Sequence, residues 1–349
     1  MKAVILSAGK STRTYPLTVN TPKPLLRILD TTVIEHNLDN LLGLVDKVYI
    51  VIGFMGEKIK EKVSLEYKGL KIGYIKQKEQ LGTGHAFSLL KNIKDDFLVF
   101  NGDDLYSKSD LNSVVTEYSI LTHMLKPYER FDSIDGIKQL QGISKPKRND
   151  IYMSVNTGCY FVGEDIFKFK DNLLTNMINN YCKKQKIKVF DVKDYWIPIT
   201  YWWNYLEANQ FMLERKKQNQ YIGEGVKILK NAYLREGTIL FDNVVIGGEV
   251  IDSVIMENTV AKHNCYIGHS VIGKNCNIGA GTVTSDYRHD CLMHTTKIKN
   301  KKVNTSRTKL GTCFGENVKT GINTSIYPGR TIYPDRYTLP GQIVKEDIK

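Results

Sequence analysis

Two short segments near the start of the chain carry residue types that could bind and transfer a phosphate group. The first, Leu6-Ser7-Ala8-Gly9-Lys10-Ser11-Thr12-Arg13, is a turn of small residues that follows an apolar run and precedes Pro22-Lys23-Pro24. Small residues at the end of a strand let backbone N–H groups approach phosphate oxygens. Arg13 and Lys23 would add positive charge where phosphoryl transfer develops negative charge. The spacing is not that of a Walker loop, so this segment by itself does not define a class of protein.

Two further polar segments also follow apolar runs. Gln77-Lys78-Glu79-Gln80-Leu81-Gly82-Thr83-Gly84 comes after Lys71–Ile75, and Gly102-Asp103 comes after Phe97–Phe100. A lone carboxylate at the end of a strand could equally be a helix N-cap. What these segments can do therefore depends on the elements that position them.

Those elements alternate in type over the first half of the chain. Apolar strands such as Ala3–Leu6 and Lys47–Ile52 are separated by stretches with helical spacing, such as Val33–Leu44. This alternation predicts βαβ units and a mainly parallel sheet, a Rossmann-like α/β domain. Ligands of such sheets bind beyond the carboxyl ends of the strands, which is where the polar segments fall.

The last third of the chain has a period of six residues, which is neither that of a strand nor that of a helix. The positions are Ile222, Ile228, Leu234, Leu240 and Ile246, then Val254, Val260, Tyr266, Ile272, Ile278 and Thr284, then Phe314, Thr320, Ile326 and Ile332. Glycine follows many of them, and the pattern predicts a hexapeptide β-helix in which these side chains point inward. Residues Asp286 to Lys309 interrupt the period, and we expect a projecting loop there. The predicted domains are 1–203 (Rossmann-like α/β domain), 204–220 (helical connector) and 221–349 (β-helix, left-handed as in known examples).

The first polar segments resemble the signature of sugar-1-phosphate nucleotidylyltransferases, which reads L-x-A-G-x-G-[TE]-R followed by P-K. The resemblance implies that Arg13 and Lys23 stabilise the transition state and that Asp103 binds Mg²⁺. It implies nucleotide contacts at Leu6, Ala8, Gly9, Gln77, Gly82 and Thr83, with Gln77 reading a pyrimidine. Asn156, in Asn156-Thr157-Gly158-Cys159-Tyr160, and Gly136 would contact the sugar. The implied substrates are a nucleoside triphosphate, UTP or dTTP being favoured, and a sugar-1-phosphate.

The β-helix segment resembles the acetyltransferase half of bifunctional N-acetylglucosamine-1-phosphate uridylyltransferases, archaeal ones in particular. The similar stretches are Lys262–Gly268 and Asn277–Thr282. The resemblance implies acetyl-CoA as a second co-substrate and a homotrimer. It assigns His263 as general base, Tyr266, Asn277 and Ala280 as sugar and acetyl-CoA contacts, and Arg235 as a phosphate clamp.

Several positions depart from the family pattern. Ser11 replaces the second glycine of G-x-G, Ser144 the glutamate of E-K-P, and Pro198 the second metal carboxylate, for which Asp104 or Asn204 are candidate substitutes. In the β-helix, Ile251 stands in place of a lysine, Asp286 replaces an asparagine, and His269 replaces the aspartate of G-D-S. Three hypotheses follow: an active enzyme with altered substrate or metal geometry, a pseudoenzyme that binds nucleotide sugar as a regulatory or scaffold subunit, or an acyltransferase with a degenerate first domain.

Bulk properties exclude other classes of function. The net charge of +12 is spread over lysines without a nucleic-acid-binding motif, so we expect a solvated basic surface and no nucleic-acid partner. The six cysteines lack C-x-x-C spacing, which argues against a zinc or redox site. The apolar start is too short for a secretion signal, and no run is long enough to cross a membrane. A cytoplasmic protein without membrane contact is expected.

Overall fold

The computed structural model describes residues 1–125, 131–146, 152–299 and 301–349. The chain divides into two compact units. The first contains Met1–Lys10 and Thr32–Pro198, and the second contains Ser11–Thr31 and Ile199–Lys349. Among the described residues, no helix has the length and apolar character needed to span a membrane.

The first unit is built on one mixed sheet, of which only the centre is parallel as the βαβ pattern predicts, since strands on both sides pair antiparallel. Its strands are Lys2–Ser7, Lys47–Ile52, Glu66–Tyr67, Leu70–Lys76, Phe97–Asn101, Ser119–Leu125, Ser133–Asp135, Gly142–Ser144, Met153–Val162 and Lys188–Asp191, and a separate pair joins Asp104–Tyr106 to Trp196–Pro198. The centre is parallel: Lys2–Ser7 lies between Lys47–Ile52 and Phe97–Asn101, in register from Lys2 onward. All three polar segments therefore leave the sheet at the same edge.

Helices cover this sheet and bury its apolar side chains. They are Val33–Leu41, Gly56–Val63, Thr83–Ser88, Lys108–Val114 and Leu174–Tyr181, with a 3₁₀ turn at Glu164–Lys168. Helix Val33–Leu41 begins with a capping box, in which Thr32 accepts from the Glu35 N–H and Glu35 accepts from the Thr32 N–H. One core cluster joins the sheet to the helices through residues such as Phe87, Phe97 and Met177.

The second unit contains three stacks of short parallel strands, which the chain visits in turn. One stack is Gln220–Ile222, Thr238–Leu240, Ser253–Ile255, Val271–Ile272, Cys313–Phe314 and Thr331–Ile332. Another is Lys227–Ile228, Val245–Ile246 and Val260–Ala261, continued by single bridges through Asn277, Lys319 and Tyr337. The third is Tyr233–Leu234, Glu249–Ile251, Tyr266–Gly268, Val283–Thr284, Ser325–Ile326 and Ile343–Val344. This order is consistent with the expected β-helix. The three stacks together are called the coil, and each turn of the chain through them is called a rung.

The inward register differs from the predicted one in the middle of the coil. The core contains Ile255, Ala261 and Ile267, one residue after the predicted Val254, Val260 and Tyr266. Neighbours in a strand face opposite sides, so the one-residue shift turns the Tyr266 side chain outward. The first predicted positions, Ile222 and Ile228, are exposed. Because no earlier rung of this coil precedes them, these side chains have no preceding layer to pack against.

One corner of the coil is built from a column of stacked polar side chains. Asn243, Asn258, Asn275 and Asn317 all have positive φ, and each side-chain amide donates to the next residue of the column, ending on Asp335. Asparagine tolerates the left-handed conformation that this tight corner requires. The column therefore supplies the turn and links successive rungs.

Two segments of the second unit differ from expectation. The helix predicted from residue 204 runs from Trp202 to Arg215. The predicted loop from Asp286 to Lys309 contains an antiparallel hairpin, Thr295–Ile298 with Lys301–Asn304, around residue 300, which lies outside the described residues. Lysine-rich composition suggested a loop, but the alternation of threonine, isoleucine and valine permits strand pairing.

Segment Ser11–Thr31, placed by the sequence within domain 1–203, belongs to the second unit. Its Arg27 donates to both carboxylate oxygens of Asp242 at 2.6 and 3.2 Å and to Glu257 at 3.3 Å. The guanidinium also lies 4.5 Å from the centre of the Phe241 ring. These contacts hold the segment against the rungs that contain Phe241, Asp242 and Glu257.

Candidate functional site

The loop after strand Lys2–Ser7 and the segment before Asp103 are held together by backbone contact. The Gly102 N–H donates to the Leu6 carbonyl at 3.0 Å. A Cβ at Gly102 would lie 2.1 Å from the Ser7 Oγ, so no larger residue fits without displacing the loop. The Ser7 hydroxyl is buried without a hydrogen-bond partner in the described part of the chain. The glycine thus brings Asp103 beside the small-residue loop that contains Leu6, Ala8 and Gly9.

The Gln77–Gly82 segment is tied to the same loop. The Gln80 amide donates to the Ala8 carbonyl at 2.8 Å, and the Phe54 N–H donates to the same oxygen at 3.1 Å. Gly82 has φ of 131°, and a Cβ there would lie 2.3 Å from the Asn172 carbonyl oxygen. Only glycine suits this position, and Thr83 then begins the following helix. The structure therefore brings the predicted nucleotide-binding residues of the first unit to one edge of the sheet.

The Gln77 side chain is buried and oriented by two acceptors. Its Nε2 lies 3.0 Å from the Gly82 carbonyl and 3.0 Å from His85 Nδ1. The side-chain Oε1 accepts no hydrogen bond from any other described residue, so an acceptor is left for a ligand. His85, in the helix Thr83–Ser88 that follows, fixes this orientation. A histidine eight residues after a glutamine was the signal available in the sequence.

The carboxylates near Asp103 do not form a closed metal cage. In the described ranges, no group of three histidine, cysteine or acidic side chains could hold a metal ion. Asp104 is buried and accepts from the Trp196 indole at 3.4 Å, and its strand partner is Pro198. Asn204, the other suggested substitute, caps its own helix by accepting from the Tyr201 N–H at 3.1 Å. Mg²⁺ needs only one or two carboxylates when substrate phosphates complete its shell, so Asp103 suits that role without a cage.

The predicted sugar contacts lie in the antiparallel part of the same sheet. Asn156 accepts from the Gly158 N–H at 2.8 Å and donates to the Tyr160 hydroxyl at 2.6 Å, at a bulge in its strand. Gly136, with φ of 107°, forms the turn between Ser133–Asp135 and Gly142–Ser144.

A cavity of about 330 Å³ opens beside Gly136 and is lined by Ser133, Asp135, Ser154 and Asp191 among others. Ser144 lies one strand from this cavity, and its hydroxyl is 3.1 Å from that of Ser133. Met124, Ile134 and Val189 also line the cavity, so the space beside the predicted sugar contacts has both polar and apolar walls.

Arg13 and Lys23 lie in the segment that belongs to the second unit. Arg13 is exposed on the 3₁₀ turn Thr12–Thr14, and Lys23 is buried at the start of Lys23–Leu25. Ser11 precedes the first turn with φ of 49° and ψ of 40°, the left-handed conformation that the missing glycine would favour. The Ser11 carbonyl accepts from the Thr14 N–H at 3.0 Å and from the Thr18 hydroxyl at 2.9 Å. The serine therefore holds a left-handed conformation at the cost of backbone strain.

The predicted acetyltransferase residues of the second unit lie on successive rungs. His263 is exposed in the corner before strand Tyr266–Gly268, and its carbonyl accepts from the Gly281 N–H at 3.2 Å. Ala280 is therefore one rung away, and Asn277 is bridged to Val260 in the preceding rung. The His263 side chain has no hydrogen-bond partner among the described residues.

Arg235 lies farther along the coil and is already paired. Its guanidinium donates to Glu249 at 3.1 Å, and Glu249 is the direct strand neighbour of Tyr266. Ile251, at the end of the Glu249 strand, provides no charge in place of the expected lysine. The phosphate-clamp role of Arg235 therefore requires exchange of Glu249 for a ligand.

A cluster of ionisable residues that the sequence presented only as departures surrounds Tyr266. The Tyr266 hydroxyl donates to Asp286 at 3.0 Å, and His269 Nδ1 lies 2.6 Å from the same oxygen. Burial and the nearby Asp286 raise the pKa of Tyr266 to about 12, so its hydroxyl keeps its proton at neutral pH. No spacing rule connects residues 266, 269 and 286, and only the fold brings them together.

Comparison with known proteins defines the class. A nucleotidyl transferase family model matches residues 2–124, and a GMPPB C-terminal domain model matches residues 216–344. The chain is 33% identical to the bifunctional protein GlmU of Methanococcus maripaludis, covering 100% of this chain and 96% of that protein. It is 30% identical to a bifunctional sugar-1-phosphate nucleotidylyltransferase/acetyltransferase of Sulfurisphaera tokodaii, covering 100% and 98%.

The chain belongs to the sugar-1-phosphate nucleotidyltransferase family and has bifunctional GlmU-like proteins as full-length relatives. The first alignment runs over 397 residues, whereas this chain has 349, so that relative carries segments that this chain lacks. Among solved structures, UDP-glucose pyrophosphorylase from Acinetobacter baumannii superposes with a TM-score of 0.53 at 19% identity, covering 62% of this chain and 94% of that one. This likeness supports the fold of a nucleotidyltransferase domain.

Proposed function

We propose that the chain transfers a nucleotidyl group from UTP or dTTP to a sugar-1-phosphate and releases pyrophosphate. The observation that carries this proposal is the meeting of the Leu6–Gly9 loop, the Gln77–Gly82 segment and Gly102-Asp103 at one edge of the sheet. A phosphate oxygen of the sugar-1-phosphate attacks the α-phosphorus in line, and the bond to pyrophosphate breaks.

The chain's own groups would bind the nucleotide through its base and its phosphates. The Oε1 of Gln77 is an acceptor, and uracil and thymine each carry an N3–H donor that matches it. Backbone N–H groups of the loop at Ala8 and Gly9 would contact phosphate oxygens. Arg13 and Lys23 supply the positive charge that stabilises the transferred phosphate. Asn156 and Gly136 are assigned to the sugar.

Asp103 is the residue proposed to bind Mg²⁺. The ion would neutralise charge on the phosphates when it is bound. A single protein carboxylate suits an ion whose other ligands are phosphates and water.

The direct experiment measures pyrophosphate release from UTP or dTTP with Mg²⁺ and a panel of sugar-1-phosphates. Release with one combination of nucleotide and sugar-1-phosphate is the expected result. A flat result with nucleotide binding retained would favour the pseudoenzyme hypothesis, in which the first unit binds nucleotide sugar without turnover.

We propose a second function, acetyl-CoA-dependent N-acetylation of an amino-sugar-1-phosphate, on the β-helix. It is supported by the placement of His263, Tyr266, Asn277 and Ala280 on neighbouring rungs. His263 would accept the proton of the sugar amine, a task suited to an imidazole. Thiol release from acetyl-CoA in the presence of glucosamine-1-phosphate tests this, and absence of release would remove the second function.

The finer architecture is part of the same proposal. We propose that the coil is a left-handed β-helix that associates as a homotrimer. Exposed apolar residues on its outer face, Val283, Ile322, Tyr337, Leu339 and Ile343, supply an area that association would bury. Sedimentation of the purified chain tests the trimer, and the expected cytoplasmic location stays a prediction.

A further inference from the structure

His269 and Asp286, which both depart from the family pattern, contact each other directly. His269 Nδ1 lies 2.6 Å from Asp286 Oδ2, and its Nε2 lies 3.4 Å from Asp252 Oδ2. The imidazole is buried, with both ring nitrogens facing carboxylates. The Nδ1 atom is therefore within hydrogen-bonding distance of Asp286, and Nε2 faces Asp252 at a longer distance. A change at either position alone would leave the other without its partner.

The charges around this imidazole form a continuous chain. Asp252 lies 3.9 Å from Arg307, which pairs with Glu207 at 3.0 Å. Burial by itself would raise the pKa of Asp286, but hydrogen bonds from His269 and Tyr266, with the charges of His269 and Lys309, leave it below its ordinary value. Asp286 is therefore ionised at neutral pH, and it holds the Tyr266 hydroxyl on the same oxygen as His269.

The same cluster forms the base of the projecting segment 286–309. The Leu310 N–H donates to the Asp286 carbonyl at 2.9 Å, and His294 Nε2 lies 3.0 Å from that oxygen. Arg307, near the far end of the segment, contacts Asp252 on the other side of the imidazole. His269 thus contacts Asp286, the first residue of the segment. It also faces Asp252, which lies near Arg307 at the end of the segment.

We propose that His269 is a positioning residue: through Asp286 it fixes the Tyr266 phenol and the base of segment 286–309 in one arrangement. The part that concerns Tyr266 rests on the proposed acetyltransferase function. His269 is not placed to contact substrate, because it is buried and its Nδ1 is held by Asp286. Tyr266, on the outer face of the coil, is the group it would present to the ligand.

Two substitutions separate the two sides of the imidazole. His269→Asn keeps an N–H donor near the Nδ1 position and thus the bond to Asp286. His269→Gln carries its donor farther out, toward Asp252, and leaves Asp286 unpaired. The proposal requires that the glutamine variant be impaired and the asparagine variant be close to the wild type, whereas a packing role would impair both. His123→Gln, in the first unit, is the matched control.

The first readout is limited trypsin digestion, which needs no enzymatic activity. The hairpin offers cleavage sites at Lys297, Lys299, Lys301 and Lys302, all exposed. Cleavage there follows the opening of the segment, so we expect it to be about tenfold faster in His269→Gln than in the wild type and unchanged in His269→Asn. Equal rates in His269→Gln and the wild type, or equal acceleration in both variants, would overturn the proposal.

The second readout is thiol release from acetyl-CoA with glucosamine-1-phosphate. The value of kcat/KM should fall about tenfold in His269→Gln and be retained in His269→Asn. His269→Asp, which places a third carboxylate beside Asp286 and Asp252, should be impaired, and adding Asp286→Asn should restore activity. Failure of that rescue contradicts the proposed pairing. If the wild type releases no thiol, the acetyltransferase proposal fails and the trypsin result alone decides whether His269 holds the segment.

Discussion

The departures from the family pattern are isolated at the sheet edge of the first unit and coupled on the coil of the second. At the sheet edge, the Ser144 hydroxyl lies beside that of Ser133, and Pro198 lies opposite an Asp104 that already accepts from Trp196. On the coil, His269 and Asp286 changed charge at positions that touch. A departure from the family pattern therefore has to be judged together with the residues it contacts. An isolated departure removes a side chain that the family uses, whereas the paired departures at His269 and Asp286 create a new contact.

The two regions also differ in what their charged groups stabilise. On the coil, ionised side chains contact each other and hold the fold, as Arg27 does with Asp242 and Glu257. At the sheet edge, backbone contacts through Gly102 and Gly82 hold the loops, and the side chains can serve a ligand. Substitutions at the edge should therefore reduce the rate of nucleotidyl transfer without loss of stability, and substitution of Arg27 should reduce stability without loss of that rate.

The largest expected effect is that of Asp103→Asn on nucleotidyl transfer. Loss of the carboxylate proposed to bind Mg²⁺ should lower kcat by about 10³-fold, since the transition state loses the neutralisation of its phosphates. The free energy of unfolding should stay within about 0.5 kcal/mol of the wild type. Pyrophosphate release and urea unfolding measure the two. Asp96→Asn, just before the opposite end of strand Phe97–Asn101, is the control, and equal loss of rate there would contradict the assignment.

Arg27→Met should lower the free energy of unfolding and leave the rate of nucleotidyl transfer unchanged. The variant leaves Asp242 and Glu257 without their shared cation, and partial exposure limits the cost to about 2 kcal/mol in unfolding free energy. Lys216→Met, which removes an exposed pair with Asp30, should cost no more than about 0.5 kcal/mol.

The pH dependence of the Arg27 effect has a definite sign. The hydrogen bond from Arg27 holds the pKa of Asp242 below its ordinary value of 3.8. A depressed carboxyl pKa contributes stability above the unfolded-state value and loses it as pH falls through the folded-state value. The difference between wild type and Arg27→Met should therefore be constant at neutral pH and shrink below about pH 4. A difference that persists in acid would mean that packing on Phe241, rather than charge, supplies the effect.

The sequence predicted the alternating strands and helices of the first unit and the short repeated strands of the second, because periodicity and glycine placement are local signals. The strands before Leu6, Gln77 and Gly102 follow directly from apolar runs bounded by small residues. The side chain of Tyr266 was predicted to point inward, since a six-residue count cannot detect a shift of one residue at a corner. The His269–Asp286 pair could not be found, because its two members are seventeen residues apart and meet only when two rungs stack. Likewise, nothing local ties Arg27 to Asp242.

Pro198→Asp tests whether an isolated departure can be reversed by one change. The new carboxylate would lie opposite Asp104 and, with Mg²⁺ present, should raise kcat for pyrophosphate release by about tenfold. Without Mg²⁺ the facing like charges should lower stability by up to about 1 kcal/mol. Pro198→Asn has the same shape without the charge and should show neither change. An equal gain in the asparagine variant would mean that relief of the proline, not a metal ligand, is responsible.

Ser11→Gly should have the smallest effect and separates two consequences of one departure. A non-glycine residue in the left-handed conformation is strained, and glycine removes that strain while it increases the entropy of the unfolded chain. The net gain should be about 0.5 kcal/mol, measured by urea unfolding, and Thr12→Gly, at a helical position, should lose stability. If the Ser11 Cβ also crowds the phosphates, KM for the nucleotide should fall in the same variant. Higher stability with an unchanged KM would mean that Ser11 causes backbone strain but does not impede nucleotide binding. The Ser11 turn would then be intact for binding, and any loss of activity would have to be traced to Ser144 and Pro198.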